Sequence, residues 1–505
     1  MLFDDLSSYE GSDIEYKSGK GGLPSNLWET YSAFANTEGG TIFLGVAQRG
    51  VELDVHGLDN VDKLKSDLFS ALNNRTKVSR NLLDNSDVDA LEVAPTRHVL
   101  RIVVPRADRR QRPVYVGLDP FRGTYRRNHE GDYLCTEDEV RRMFADQRDE
   151  PVDSLPMLGF SMADLDQDSI QQFRNRFASR APNHPWLSER DEVLLTKLGA
   201  LWLDRDSGKL LVTLAGMVMF GNSDTIQLPQ AVPNFQLDYR ERLSDDPSVR
   251  WTDRITIDGT WPGNLFQFYL RVMRKLALDP GLKAPFIRDR EGVRRSGSAV
   301  HEALQEALVN ALIHADHTGQ GGIVIDRYPD RFEFSNPGTL LVSHEQLMRG
   351  SVSECRNKSL QRMFQMLGVG DKAGSGIDKI RKSWDAQHWR SPSLKDSFRP
   401  DRVQLVLPMV SMLPESVLKA LRERFGNKLA PLGKEAMQAL ATAATEGSVT
   451  NLRLQEILKL HRADITGLLK GLVQDKLLVA KGVRRGAWYE LAGGPLRLET
   501  SPTSL

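Results

Sequence analysis

The chain has 505 residues, with 67 Lys plus Arg against 67 Asp plus Glu, so no whole-molecule field draws it toward nucleic acid or a membrane surface. Its length suits three or four cores of ordinary size, and no run of roughly eighteen apolar residues offers a membrane span. Two distant cysteines, Cys135 and Cys355, and an N-terminus without a basic-then-apolar leader predict a reduced, cytoplasmic protein.

Residues 10–17, EGSDIEYK, lead into a Gly-rich loop, a helix over 25–36, and then TEGGTIFLGV, where Gly39 and Gly40 give a tight entry to a short buried strand over 41–46. Further on, 99–104 reads as an apolar strand and 123–127 as a short basic strand. Thr136 with Glu139 forms a capping box before a helix to 145. Glu10 and Glu15 are either surface carboxylates on an edge strand or acids with a shared task, with Lys17 close by. Arg97, Arg101, Arg106, Arg109, Arg110, Arg112, Arg122, Arg126 and Arg127 cluster here, interrupted by Asp108 and Asp119. Spread over three predicted strands, they predict a basic patch that neutralises phosphates without reading sequence; a solvated loop is the alternative.

Across 10–144 these features resemble the AlbA-type domain of Schlafen proteins, a nucleic-acid-associated module. For the nucleolytic Schlafens the resemblance implies three carboxylates that hold divalent metal against an RNA backbone, and Glu10 and Glu15 match two of them. Gln48 stands at the third place, and a neutral amide cannot supply the charge that two metals and a phosphodiester demand. Asp54 is the nearest substitute. The resemblance thus implies binding rather than cutting.

Residues 151–290 hold apolar periodic segments at 193–203 and 211–220 and a helix at 265–278, without nameable chemistry. In 302–317, EALQEALVNALIHADH, the residues Leu304, Ala307, Leu308, Ala311 and Leu312 follow helical spacing, and Glu306, Asn310 and His314 fall one turn apart on a polar seam. An amide oxygen there can ligate magnesium while the carboxylate orients a water; the same pair also occurs as ordinary solvated residues. Two strands follow at 323–325 and 331–334, joined by a turn at Pro329 and Asp330 and ending in Asn336, Pro337 and Gly338. Arg356 and Asn357 open a helix over 360–367, and Gly374 and Gly376 precede another, where backbone N–H groups can approach an anion. His314, Asp316 and His317 lack the remote third ligand of a zinc site, so they cap the helix or border a ligand.

This order of motifs, over 291–409, resembles the ATP-binding domain of the GHKL superfamily, in its RecG-like C-terminal branch; 151–290 looks like the connecting part of that family. The resemblance implies ATP and Mg2+ as cofactors. Asn310 would hold the metal, Glu306 would act as general base, Asn336 and Gly338 would border the adenine, and Gly374 and Gly376 would cover the phosphates. His314, Arg356 and Asn357 would line the nucleotide. Asn336 stands where the superfamily has an aspartate, and an amide accepts the adenine hydrogen bond more weakly. No G-x-x-x-x-G-K-[ST] phosphate loop occurs, which excludes a strand-separating motor. Related ATP modules often pair, which implies a homo-oligomer.

Near the C-terminus, helical spacing at 437–444, 454–459 and 465–473 precedes two strands at 477–479 and 488–491. Three helices and a hairpin predict a winged helix, with Arg462, Thr466 and Lys470 on or near the recognition helix and Arg484 and Arg485 at the wing. Such domains bind DNA or protein. The expected fold class is α/β multidomain (α+β): a Schlafen AlbA-like domain at 1–148, a connecting region at 151–290, a GHKL-type α/β sandwich at 291–410, a winged helix at 430–493 and a loose tail at 494–505. The expected function is a cytoplasmic regulator that binds DNA, RNA or both and uses ATP as a conformational ligand, with slow hydrolysis, in transcriptional control or defence against foreign nucleic acid. The alternatives are an ATP-gated, metal-dependent ribonuclease acting against phage, and a protein-interaction scaffold.

Overall fold

The computed structural model describes residues 12–49, 52–95, 97–148, 150–244, 246, 248–279, 282, 299–343, 346–347, 354–370, 376–387, 389–398, 400–410, 415–458, 460, 462–481 and 487–496. The chain divides into two compact units, 1–148 with 419–455 and 460–505, and 149–418 with 456–459. Glu10, Gly374, Arg484 and Arg485 lie outside the described residues.

In the first unit a four-stranded sheet runs in the order Ile14–Lys17, Gly40–Leu44, Arg97–Val104, Val88–Ala94. Its first pair is parallel, with Glu15 opposite Ile42, and the others are antiparallel. Parallel neighbours need a crossover, supplied here by the helix Leu27–Asn36. The paired glycines before the second strand each have a steric reason. A Cβ on Gly39 (φ +78°) would stand 2.8 Å from the Val104 carbonyl, and one on Gly40 would stand 2.7 Å from the Phe34 ring.

The crossover helix is buried nearly all round, so its polar side chains must find partners inside. Asn36 donates to the carbonyls of Val114 (2.7 Å) and Tyr125 (3.0 Å) and accepts from Val114 N (2.8 Å). Ser32 Oγ accepts from Tyr125 N (2.9 Å), and Thr37 Oγ1 accepts from Arg127 N (2.9 Å). These bonds fasten the hairpin Tyr125–Asn128/Gly131–Leu134 beside the helix. They thereby fix where Arg127 stands.

The second unit is built on a six-stranded sheet ordered Asp253–Thr256, Leu237–Glu241, Ile323–Tyr328, Arg331–Pro337, Asp401–Pro408, Ser393–Phe398; only Leu237–Glu241 and Ile323–Tyr328 pair in parallel. Alternation sorts the strands' faces: Ile325, Phe332, Phe334, Leu405 and Leu407 are buried in the core, while Glu333, Ser335 and Gln404 remain partly exposed. One ionic ladder joins strands, with Arg240 and Arg242 both donating to Asp326 and Arg254 to Asp238. The helices Leu265–Leu278 and Ala299–Ile313 belong to the same apolar core as the strands. That core also takes Phe173, Phe177 and Phe220 from the segment predicted only to connect, so 151–290 packs as part of the unit.

Buried Asp153 ties that segment to the helix Lys358–Met366 by accepting from Ser359 N (2.8 Å) and Leu360 N (3.0 Å). Burial pushes its carboxyl up to about 6, although the two amides and Arg362 oppose the shift. As pH rises from about 4 to 6, the folded form must release a proton that the unfolded chain has already lost, so stability falls through that window, by at most about 3 kcal/mol. Asp153→Asn is expected to flatten this decline in thermal midpoint between pH 4 and 6.5. Parallel curves for the two proteins would remove Asp153 from the pH response.

At the C-terminal end, the helices Lys434–Glu446, Asn451–Ile457 and Arg462–Gln474 precede an antiparallel pair, Leu478–Lys481 with Trp488–Leu491. Leu440, Leu454, Ile465, Leu469 and Leu472 are buried, as the spacing predicted.

Candidate functional site

In the first unit the acids and bases of the N-terminal strand form a chain of ion pairs. Glu15 Oε1 accepts from Lys17 Nζ (3.0 Å) and Oε2 from Arg127 (2.7 Å); Arg127 also donates to Asp132 Oδ1 (2.8 Å), whose Oδ2 accepts from Thr30 Oγ1 (2.6 Å). The guanidinium lies 5.1 Å from the Phe34 ring centre, and its side chain is 1% exposed. Burial works against the Arg127 charge, but Glu15 and Asp132 outweigh it and hold the group above its usual range. Beside this chain lies a cavity of about 420 Å³ lined by the loop from Glu15 to Asn26.

Asp132 and Thr30 were not foreseen from sequence. The signal was present in the turn, because the hairpin register sets Asp132 directly opposite Arg127. Gln48 sits on Val46–Arg49, and Asp54 is exposed on the neighbouring strand opposite Ala47. Among the described residues no cluster of three or more His, Cys, Asp or Glu could hold a metal.

The predicted arginine patch is corrected by burial and pairing. Arg109, Arg112 and Arg127 are buried, and Arg109 donates to the carbonyls of Asp146 (2.8 Å) and Arg148 (3.1 Å). Burial, with nearby Arg106, pulls the Arg112 guanidinium down to about 10. Arg101 pairs with Asp89, Arg106 with Glu38, and Arg126 with Glu139 (2.6 Å). A run of arginines reads as a patch only if the side chains stay outside and unpaired; here three are buried, three more are partly buried against acidic partners, and most of the run lies off the strands. Arg97, Arg110 and Arg122 remain exposed.

In the second unit the helix carrying Glu306 ends at Ile313, so His314 lies just past it rather than on its seam, though His314 N still donates to Asn310 O (3.0 Å). Glu306 is buried and Asn310 half-buried. The helix Gly376–Ala386 starts over this pair, since a Cβ on Gly376 would stand 2.6 Å from Glu306 Oε1 and 3.1 Å from Asn310 Nδ2. Glycine is what allows its backbone so near the carboxylate.

A second cluster forms beyond the helix end. Gly338 (φ +107°) abuts Asp316, whose Cβ would be 3.1 Å from an added one, and Arg356 lies near and donates to the Thr339 carbonyl (3.2 Å). Asn336 is buried, its amide donating to the Pro337 carbonyl at 3.3 Å. Asn357 is committed to structure: its buried amide donates to the carbonyls of Ile313 (2.9 Å) and Ala315 (2.7 Å), closing the end of the Glu306 helix. Desolvation, with Arg356 secondary for His314, lowers the His314 and His317 imidazoles to about 4. Both are therefore neutral at physiological pH, and neither adds charge toward a phosphate.

On the helix Arg462–Gln474, Lys470 is exposed and Thr466 accepts from Asn451 Nδ2 (2.9 Å). Arg462 opens that helix. No described helix is long and apolar enough to cross a membrane.

Three family descriptions match parts of the chain. They are "Schlafen, AlbA_2" over residues 10–136, "Domain of unknown function (DUF8451)" over 141–238, and "Putative ATP-dependent DNA helicase recG C-terminal" over 320–407. No curated protein matches. Among solved structures, the DIP2311 protein of Corynebacterium diphtheriae is similar at 17% identity over 95% of each chain, with a TM-score of 0.39. The chain thus carries a Schlafen AlbA_2 domain at its N-terminal end and a RecG C-terminal domain in its central part, joined in a mixed α/β architecture.

Proposed function

We propose that the protein is an ATP-binding, nucleic-acid-binding regulator in which ATP acts as a conformational ligand, serving transcriptional control or defence against foreign nucleic acid. The observation that carries the ATP reading is the approach of Gly376, which lies in the part matched to the RecG C-terminal description (320–407), to Glu306 and Asn310 on the helix just before that part. A carboxamide and a carboxylate one helical turn apart fit a nucleotide-bound magnesium ion and its water. Asn310 would hold the metal and Glu306 would orient the water. Magnesium would neutralise the phosphates; the start of the Gly376 helix would respond to their presence.

Two ends of the chain support nucleic-acid binding: the AlbA_2 match, and three helices with a hairpin in the order of a winged helix. In the first unit the ion-paired state of Glu15 favours binding over metal-dependent cutting. Equilibrium titration of the full chain with labelled duplex DNA and single-stranded RNA, with and without ATP and magnesium, tests the reading. Affinity should change with nucleotide; identical affinities in both states would refute the switch. Lys470→Glu should weaken duplex binding and lower the salt slope by about one unit, the loss of one phosphate contact plus added repulsion. An unchanged slope would remove this helix from the DNA interface.

A further inference from the structure

Asn357 stands at the N-cap position of the helix Lys358–Met366 and is of a type that serves well there, yet its side chain makes no capping bond. Its amide is turned instead to the carbonyls of Ile313 and Ala315, at the end of the helix that carries Glu306 and Asn310. The capping falls to Asp153, 206 residues away from Ser359 in sequence, whose Oδ2 accepts from both Ser359 N and Leu360 N. These are first-turn amides, the ones a local cap would hold. The residue before Asn357 faces the same site, since Arg356 donates to the Thr339 carbonyl beside Gly338.

Asp153 is fully buried, and its other oxygen, Oδ1, accepts from nothing among the described residues. A buried acceptor without a donor is unfavourable, which offsets part of what the two amide bonds contribute and brings the docked form nearer in free energy to an undocked one. Past it, Leu155 O accepts from Leu214 N (3.1 Å) and Met157 N donates to Val212 O (2.8 Å), so the segment is anchored on its far side. On its near side lies residue 149, where the second unit begins, following directly on the first unit in sequence.

We propose that the start of the helix Lys358–Met366 is a cap-exchange switch, in which Asp153 is the positioning residue that couples the nucleotide site to the segment 150–157. With Asp153 docked, Asn357 is left to close the end of the Glu306 helix. With Asp153 withdrawn, the Asn357 oxygen takes the two amides itself, and its Nδ2 leaves Ile313 and Ala315. ATP that binds the first form better holds Asp153 in, and by linkage docked Asp153 strengthens ATP binding by the same factor. This deepens the reading of ATP as a conformational ligand by naming where the response leaves the site, and it rests on that reading.

The test uses the full chain, with ATP and magnesium as the probe. Bound nucleotide should slow amide hydrogen exchange across 150–157, roughly fivefold or more. Asp153→Ala should weaken ATP binding by about that same factor, read by calorimetry. Asp153→Asn, which keeps an oxygen for the two amides, should bind ATP near wild-type strength. Asn357→Ala should also weaken ATP binding, and adding Asp153→Ala to it should bring no further loss, because the two act through one contact. Additive losses, or an Asp153→Asn variant as weak as Asp153→Ala, would overturn the proposal. So would unchanged exchange over 150–157 in a wild type that binds ATP, an arm that needs no variant to fold, and the ATP reading would then stand. Absence of ATP binding to the wild type would overturn that reading itself, and this inference with it.

Discussion

Asn310→Ala should lose the magnesium-dependent part of ATP affinity, roughly 10- to 100-fold, because an amide ligand to a bound cation contributes about 1.5–3 kcal/mol. The fold should not register the change. Stability of the helix Ala299–Ile313 comes from Leu304, Leu308, Val309 and Leu312, which are fully buried, whereas Asn310 is half-exposed and alanine is the better helix former. The thermal midpoint without nucleotide should therefore match wild type, while the rise in midpoint that ATP and magnesium give should shrink. Calorimetric titration in magnesium and in EDTA separates the terms. Equal affinities of the variant and the wild type in magnesium would show that Asn310 is not a metal ligand.

The parts of this design that were legible in sequence are those set by local periodicity. The Glu306 helix, the strands around Pro329 and the C-terminal helices all follow from apolar spacing, although the Glu306 helix ends at Ile313 and leaves His314 off its seam. What was not legible depends on partners far along the chain. Arg127 reads as one more surface cation until Glu15, 112 residues away in sequence, is folded against it. Arg109 looks equally basic, yet it is spent on two carbonyls of a later segment. Asn357 had the right type for a ligand-lining amide, but the open carbonyls at the end of the Glu306 helix claim it first. Composition cannot distinguish an arginine that waits for phosphate from one that already neutralises a carboxylate. The difference lies in which face the strand presents and which acid stands opposite.

Gly376→Ala should weaken ATP binding about tenfold while leaving stability within about 1 kcal/mol of wild type, an outcome that separates the site from the scaffold. The added methyl would stand 2.6 Å from Glu306 Oε1 and 3.1 Å from Asn310 Nδ2, too near for both to stay where they are. What yields is the far end of two side chains rather than backbone, so the packing cost is small, and alanine's better helix propensity offsets part of it. The carboxylate and the amide that move are the pair assigned to the nucleotide. Gly370→Ala provides the contrast. Its residue sits at φ +77°, where a side chain strains the backbone, and its methyl would meet Val309 rather than a polar group. That variant should lose stability, on the order of 1 kcal/mol, with ATP affinity little changed. Thermal melts and nucleotide titrations of the two variants should therefore rank in opposite order. Should Gly376→Ala bind ATP as tightly as wild type, the close approach of the two helices would be a packing feature alone, and the nucleotide would have to be held elsewhere.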